Sequence, residues 1–409
     1  MAIVIKIIVL RKFSADYIFP SSGPPIKGGM ILTEDDGTVI DVISGENIDF
    51  GLSDIEKHEG IICPGFINTH CHLELSHLRS KITPGTGLHN FIQELQDKRN
   101  SSAEEVKAAM QQAEEEMIKE GIVAVGDISN TNHSFELKSK GSIAYHTFIE
   151  AFGFSPERAD TIYEKARFLK EEYLQINKQY KGVQTNVSIV PHAPYSVSTA
   201  LFKKISAGSY TENSLLSMHN QESPDENLLF LKGEGKLREM LEKLLPDIAS
   251  WKATALNSLP SVIVHLPPCN KILLVHNTFT SKEDIKKAHH YSKMVWWCFC
   301  PKANLFIENK LPSIDTFRKA GGKITIGTDS LASNNSLSIL DELKTISNYY
   351  PHITLEELIN WATRNGAEFL GFKQLGSIEK GKKMGLNLIK WVDLNSLSLT
   401  NKSTVYKLI

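Results

Sequence analysis

Two histidines, His70 and His72, stand two residues apart where an apolar run ends, in Pro64-Gly65-Phe66-Ile67-Asn68-Thr69-His70-Cys71-His72. On a strand, residues i and i+2 share a face, so both imidazoles can reach one point while Cys71 faces the other way. Such a pair fits a metal and two structural histidines equally well, and the rest of the chain must decide. Ser217-Met218-His219 brings a third imidazole to the end of a later apolar run, and Gly327-Thr328-Asp329 brings a carboxylate to the end of another. Three neutral nitrogens and one carboxylate leave a divalent ion an open position for water, which is the arrangement of a catalytic site and not of a structural one. An ion held in this way lowers the pKa of its water towards neutrality. Glu222, three residues beyond His219, suits a proton carrier beside that water. His276, closing Leu274-Val275-His276, suits orientation of the attacking oxygen or a hydrogen bond to the atom under attack. His192, in Pro191-His192-Ala193-Pro194-Tyr195-Ser196, has no second ligand beside it and is assigned to substrate. Glu74 is read either as a substrate contact at the mouth or as an anchor for the loop that follows it.

Residues so far apart in the chain need a scaffold that gathers strand ends. From Ile61 onward, apolar runs alternate with longer amphipathic segments, the pattern of repeated βα units. Eight runs begin at Ile61, Ile122, Ile143, Thr185, Ser214, Ile272, Met294 and Ile324, and several close on the polar residues above. This outlines an α/β fold, a (β/α)8 TIM barrel whose C-terminal strand ends carry the site. Between the runs, Glu104 to Glu120 predicts a helix with Val106, Ala109, Met110, Ala113, Met117 and Ile118 on one stripe, and Glu114-Glu115-Glu116 on a solvated face. Thr354 with Glu357 predicts a capping box. Short β-type runs occupy the first sixty residues and return after Gly371. The expected organisation is therefore a barrel over 61–370 and one small β domain shared by 1–60 and 371–409. Ser223 to Lys271, between the fifth and sixth runs, is read as a lid or an inert insertion.

Composition narrows the partners. The 409 residues carry 45 Lys+Arg against 47 Asp+Glu, a net charge of −2, so bulk charge holds neither nucleic acid nor an anionic membrane. Ile3 to Leu10 is too short and too interrupted, by Lys6, for a membrane helix, and predicts a strand. Five scattered cysteines make no disulfide framework, and a reducing cytoplasm is expected. The expected partner is a small molecule, which the resemblance described next implies to be heteroaromatic, and a homodimer stays open. Phe152, Phe154, Trp296 and Trp297 are candidates for stacking on a ring or for plain core.

The set His70-Cys71-His72, His219 with Glu222, His276 and Asp329 resembles the amidohydrolase superfamily, in its mononuclear purine and nucleoside deaminase branch related to the chlorohydrolases. The flanking stretches Pro64 to Asn68, His192 to Ser196, Gly327 to Asn334 and Gly376 to Lys382 resemble it too, so the likeness spans nearly the whole chain. It implies a distorted (β/α)8 barrel with a small β-sandwich built from both termini. It implies that His70, His72, His219 and Asp329 ligate one divalent metal, zinc or iron, and that Glu222 protonates a ring nitrogen. His276 would stabilise the attacking hydroxide, and Asp329 would pass the water's proton towards the leaving ammonia. His192 stands where binuclear relatives have a metal-bridging lysine, which makes one metal the expected number. His72-Leu73-Glu74-Leu75-Ser76 looks most like aminofutalosine deaminases. Deaminases of adenosine, methylthioadenosine or S-adenosylhomocysteine, guanine- or cytosine-type deaminases, a chlorohydrolase-like or amide-cleaving hydrolase, and an inactive scaffold are the alternatives.

Overall fold

Strands whose side chains are apolar without alternation must be covered on both faces, and the central strands of this protein are built that way. The computed structural model describes residues 10–47, 54–180, 184–244, 248 and 251–409. The strand predicted over Ile3 to Leu10 lies outside them except for Leu10. The described strands are β1 (Leu10–Ile18), β2 (Ile26–Lys27), β3 (Met30–Glu34), β4 (Val39–Ile43), β5 (Ile55–Pro64), β6 (Phe66–Cys71), β7 (Ile122–Ser129) and β8 (Ala144–Ala151). They continue with β9 (Thr185–Pro191), β10 (Leu216–Asn220), β11 (Ile272–His276), β12 (Val295–Phe299), β13 (Lys323–Ile326), β14 (Leu386–Lys390) and β15 (Thr404–Lys407). Helices separate the strands from β6 to β13, giving a mixed α/β architecture.

The chain resolves into two compact units. One takes Met1–Ile67, Met117–Val123 and Ser338–Ile409. Its mixed sheet runs β15-β14-β5-β1-β3-β4, with β2 paired to β1, so strands from both ends of the chain lie side by side. Phe13, Ile18, Ile31, Ile62, Met384 and Leu388 close one apolar cluster there. The predicted capping box opens the helix Leu355–Ala362, with the Thr354 and Glu357 side chains each bonded to the other residue's backbone N–H.

The other unit takes Asn68–Glu116 and Ala124–Leu337 and contains every candidate site residue. Two parallel four-stranded sheets, β6-β7-β8-β9 and β10-β11-β12-β13, supply its strands. The outer strands of the two sheets also touch. His219 N–H donates to the His192 carbonyl at 2.9 Å, and the Thr328 and Asp329 N–H groups both donate to the His70 carbonyl at 3.1 Å. No described helix is long and apolar enough to cross a membrane.

Two local expectations are corrected. The run beginning at Ile61 is divided at Gly65, and its first half belongs to β5, paired with β1 and β14. Gly65 is required by space: a Cβ there would lie 2.3 Å from Val123 Cγ1 and 2.8 Å from the Met384 carbonyl oxygen. The helix Ala103–Lys119 buries Val106, Met110, Ala113 and Met117 as its spacing predicts, but Glu114 is not on a solvated face. It is buried and accepts the Tyr145 hydroxyl at 2.9 Å, and Glu116 pairs with Arg79. Over-filling a close-packed site costs about 1–3 kcal/mol, so Gly65→Ala is expected to lower stability by that amount in urea unfolding; an unchanged midpoint would contradict the packing account.

Candidate active site

Every polar group singled out in the second unit sits at or just past the C-terminal end of a parallel strand, the end at which open backbone and loops leave room for a ligand. His70 is the fifth residue of β6 and His72 follows its last; His219 is the fourth of β10 and His276 closes β11. His72 Nε2 lies 3.2 Å from His70 Nε2 and 3.1 Å from His219 Nε2. Asp329 Oδ1 completes the group at 3.6 Å from His70 Nε2 and 3.5 Å from His72 Nε2. His70, His72 and His219 form one group of ligand atoms within 4.8 Å of one another, and His70, His276 and Asp329 form a second.

The donor set fits a cation. His219 Nδ1 faces the His192 carbonyl at 2.9 Å, so its proton sits on Nδ1 and the Nε2 lone pair points at the other imidazoles. Burial, with neighbouring histidines adding to it, pushes His72 down to about 3 and His219 well below the usual range. His70 differs: burial opposes its charged form, but Asp329, facing its Nε2, raises its pKa. Crowded imidazole nitrogens beside a carboxylate satisfy one another poorly, whereas a divalent ion can take them together.

Asp329 differs from its neighbours. Burial opposes its ionisation, but the His70 hydrogen bond and the surrounding imidazoles hold it below the usual carboxylate range. Ser333 Oγ donates to its second oxygen. Glu222 lies in the same pocket with the opposite balance. Burial, reinforced by Asp329, Glu226 and Glu308, raises its pKa well above that of an ordinary glutamate, which favours the protonated acid. Its Oε1 is 3.5 Å from His276 Nε2. His276 Nδ1 lies 2.9 Å from Asn304 Oδ1, which places its proton there and leaves Nε2 an acceptor; burial lowers its pKa to about 4.

The backbone is strained where these groups are aimed. Gln221, His276, Asn277 and Asp329 all have left-handed φ, at 45°, 70°, 59° and 57°. The turn that presents Glu222 is held by Glu226, whose carboxylate accepts the Gln221 and Glu222 N–H groups at 3.0 and 3.2 Å. Burial raises Glu226 to about 7 against those bonds and that of Ser258.

A cavity of about 410 Å³ opens over the cluster. His72, His192, His219, Glu222, His276 and Asp329 all line it. Its walls are apolar: Leu88, Phe91, Ile92 and Leu95 from the helix Leu88–Lys98, Met240 and Leu241 from Lys236–Leu244, and Phe152 and Phe154 after β8. The 223–271 segment therefore contributes a wall of the cavity. Phe152 and Phe154 line it, whereas Trp296 and Trp297 are buried within β12. Cys298 and Cys300 are buried free thiols.

The expected residues converge with one exception. His192 reaches the cavity, its ring centroid 4.9 Å from that of His219 and its Nδ1 2.6 Å from Ser196 Oγ. Glu74 does not line this cavity. One of its oxygens accepts the Asn130 and Thr131 N–H groups, each at 3.1 Å, and the other accepts Ser134 Oγ at 3.1 Å, so it ties the loop after β7. Glu150 of β8, Asn304, Ser333 and Glu226 were not singled out by sequence reasoning. Glu150 carried a signal, as a carboxylate one residue from the end of a fully buried strand. Asn304 had none, lying 28 residues from the histidine it holds.

Beneath the cluster, Lys138 and Asp127 form a fully buried ion pair at 2.5 Å. Lys138 also donates to Ser129 Oγ at 2.7 Å, and Asp127 accepts the Leu73 N–H at 2.8 Å, directly after His72. Removing one partner of a buried pair costs about 3–5 kcal/mol, which Lys138→Met is expected to show in urea unfolding, and adding Asp127→Asn should recover part of it. A single-variant loss below about 1 kcal/mol would contradict this account.

Comparisons with known proteins find similarity along most of the chain. The model of the amidohydrolase family matches residues 61–407. An adenosine deaminase of Helicobacter pylori is 26% identical over 331 residues, covering 80% of this chain and 78% of its own. A 5-methylthioadenosine/S-adenosylhomocysteine deaminase of Bacillus cereus is 26% identical over 380 residues, covering 87% and 79%. Among solved structures, an aminofutalosine deaminase of Helicobacter pylori in complex with methylthio-coformycin superposes with a TM-score of 0.78 at 23% identity, covering 95% of this chain and 93% of that one. An adenosine deaminase of Xanthomonas campestris with bound zinc superposes at 0.73 and 18%, covering 95% and 86%.

Proposed function

The chain belongs to the amidohydrolase family, and from that premise we propose that it is a metal-dependent deaminase that hydrolyses the exocyclic amine of an adenine nucleoside. The observation that carries this reading is Glu222, a buried carboxylic acid 3.5 Å from His276 and beside a three-imidazole cluster. Hydrolysis of an amino-heterocycle needs a proton for a ring nitrogen as water adds to the adjacent carbon. A carboxyl group protonated at neutral pH supplies it.

His70, His72, His219 and Asp329 would hold one divalent cation, zinc or iron. Such a cation, when bound, supplies a Lewis acid that brings the pKa of water into the neutral range. The chain's own residues do the rest. His276, its Nδ1 proton held by Asn304, offers Nε2 as an acceptor that aims the attacking water. Glu222 gives its proton to the ring nitrogen, and Asp329 takes a proton from the water. Asp329 then passes that proton to the exocyclic nitrogen, the C–N bond breaks to release ammonia, and the proton left on the added oxygen returns to Glu222 as the carbonyl forms. His192 on the cavity wall is the contact for the rest of the substrate.

The apolar walls beyond the cluster suit a nucleoside that bears a further substituent, as in methylthioadenosine, S-adenosylhomocysteine or aminofutalosine. In the same reading, β6 to β13 form one distorted barrel within 61–370, which the two contacts between their sheets support. The strands of 1–60 and 371–409 then form a small β-sandwich of their own, and the protein works in the cytoplasm.

Two tests follow from Glu222. Replacing it by Gln is expected to cut ammonia release at least about 100-fold while the metal content of the protein is unchanged, and full activity in that variant would refute the role. Because its folded pKa is raised, kcat/KM is expected to fall on the alkaline side as one proton is lost; a flat alkaline limb would contradict a protonated donor. The function itself is tested by ammonia release from aminofutalosine, adenosine, methylthioadenosine, S-adenosylhomocysteine, guanine and cytosine. An adenine nucleoside is expected to lead, and preference for a free base would overturn the substrate class.

A further inference from the structure

We infer that Glu150 is the positioning residue of His219, held for that purpose by a buried chain that starts at Glu74. The inference rests on the reading of His219 as a metal ligand. The Glu150 side chain is 4% exposed. Its Oε2 accepts Asn130 Nδ2–H at 3.0 Å, while Oε1 is buried, has no hydrogen bond and lies 3.5 Å from His219 Nδ1. A buried carboxylate oxygen left without a donor is costly; Glu150 lines the cavity and its carboxylate groups with ring nitrogens of His192 and His219, of which His219 Nδ1 is the one that carries its proton on this side. That N–H also points to the His192 carbonyl at 2.9 Å. Two acceptors around one ring nitrogen keep the proton on Nδ1 and so keep the lone pair on Nε2, 3.1 Å from His72 Nε2.

Glu150 is itself held. The Asn130 amide that grips it hangs from a backbone whose N–H is bound by Glu74 Oε2 at 3.1 Å, and Glu74 Oε1 takes Ser134 Oγ. The polar path thus runs from just after β6, through the loop after β7 and the end of β8, to His219 on β10. It gives Glu74 a physical task that explains why both its oxygens are occupied away from the cavity. A carboxylate behind a ligating imidazole fixes the ring and raises the basicity of the opposite nitrogen, and losing it costs about 10–100-fold in metal affinity.

The test is zinc affinity, measured by competition with a chromophoric chelator on the purified full-length protein, together with the nitrogen NMR signals of His219. Glu150→Gln keeps the size of the side chain but weakens the acceptor; it is expected to bind zinc about 10–100-fold more weakly. Glu150→Asp, with the carboxylate drawn back, is expected to fall between it and the parent, and Asn130→Ala to weaken binding as well. The parent should show the proton on His219 Nδ1, and Glu150→Gln should show a mixture of tautomers. Near-UV circular dichroism identifies variants that fold, and the Asp variant serves if the Gln variant does not. Unchanged zinc affinity and an unchanged His219 signal in Glu150→Gln would overturn the inference. So would a rise in KM with zinc affinity intact, which would make Glu150 a substrate contact. Zinc binding needs no substrate, so Glu150-dependent affinity in a chain that releases no ammonia would sink the deaminase reading alone. A parent chain that does not bind zinc would overturn both.

Discussion

Three imidazole nitrogens packed together, with His72 Nε2 3.2 Å from His70 Nε2 and 3.1 Å from His219 Nε2, are the arrangement on which the rest of the site depends. Left alone, such a cluster is unfavourable, since each nitrogen loses solvent and gains no donor. The protein stabilises it from outside. The His192 carbonyl holds the far side of the His219 ring, and Asn304 does the same for the neighbouring His276. Left-handed backbone at His276 and Asp329 turns those residues inward, and cross-sheet bonds to the His70 carbonyl hold β6 beside the end of β13. Strain of this kind persists only where surrounding contacts over-determine it.

The same pocket separates two carboxylates by environment. Asp329 is surrounded by imidazoles and a serine hydroxyl and stays ionised; Glu222 faces burial and like charge and keeps its proton. The proposed function uses one as acceptor and the other as donor, with no difference in side-chain chemistry beyond a methylene. Glu226 is a further buried acid, and its work is mechanical, since it ties the two N–H groups that present Glu222. The buried Lys138 balances the charge of Asp127 under β6, where an unpaired carboxylate would otherwise loosen the segment that carries His72.

Much of this was legible in the sequence because parallel strands put chemistry at one end. His70, His72, His219, His276 and Asp329 each close an apolar run, so periodicity alone located them, and the spacing from His219 to Glu222 marked the acid. What escaped was whatever depends on contacts between distant segments. Asn304 gives no local sign of the histidine it orients, and Glu150 looks like one polar residue in a strand. Glu74 was visible as a charge near the first ligands, but its partners lie in the loop after β7, so its direction could not be read. The division of the Ile61 run at Gly65, and the burial of Glu114 within an acidic triplet, likewise follow from what lies opposite, Val123 in one case and Tyr145 in the other.

The central claim is that this imidazole cluster exists to hold one metal ion. X-ray absorption at the zinc edge of the zinc-loaded protein tests it directly. The account predicts one tightly held zinc per chain with scattering from three imidazoles and from oxygen, and the loss of one imidazole contribution in His219→Ala. Sulfur scattering, or a spectrum indifferent to His219, would contradict it.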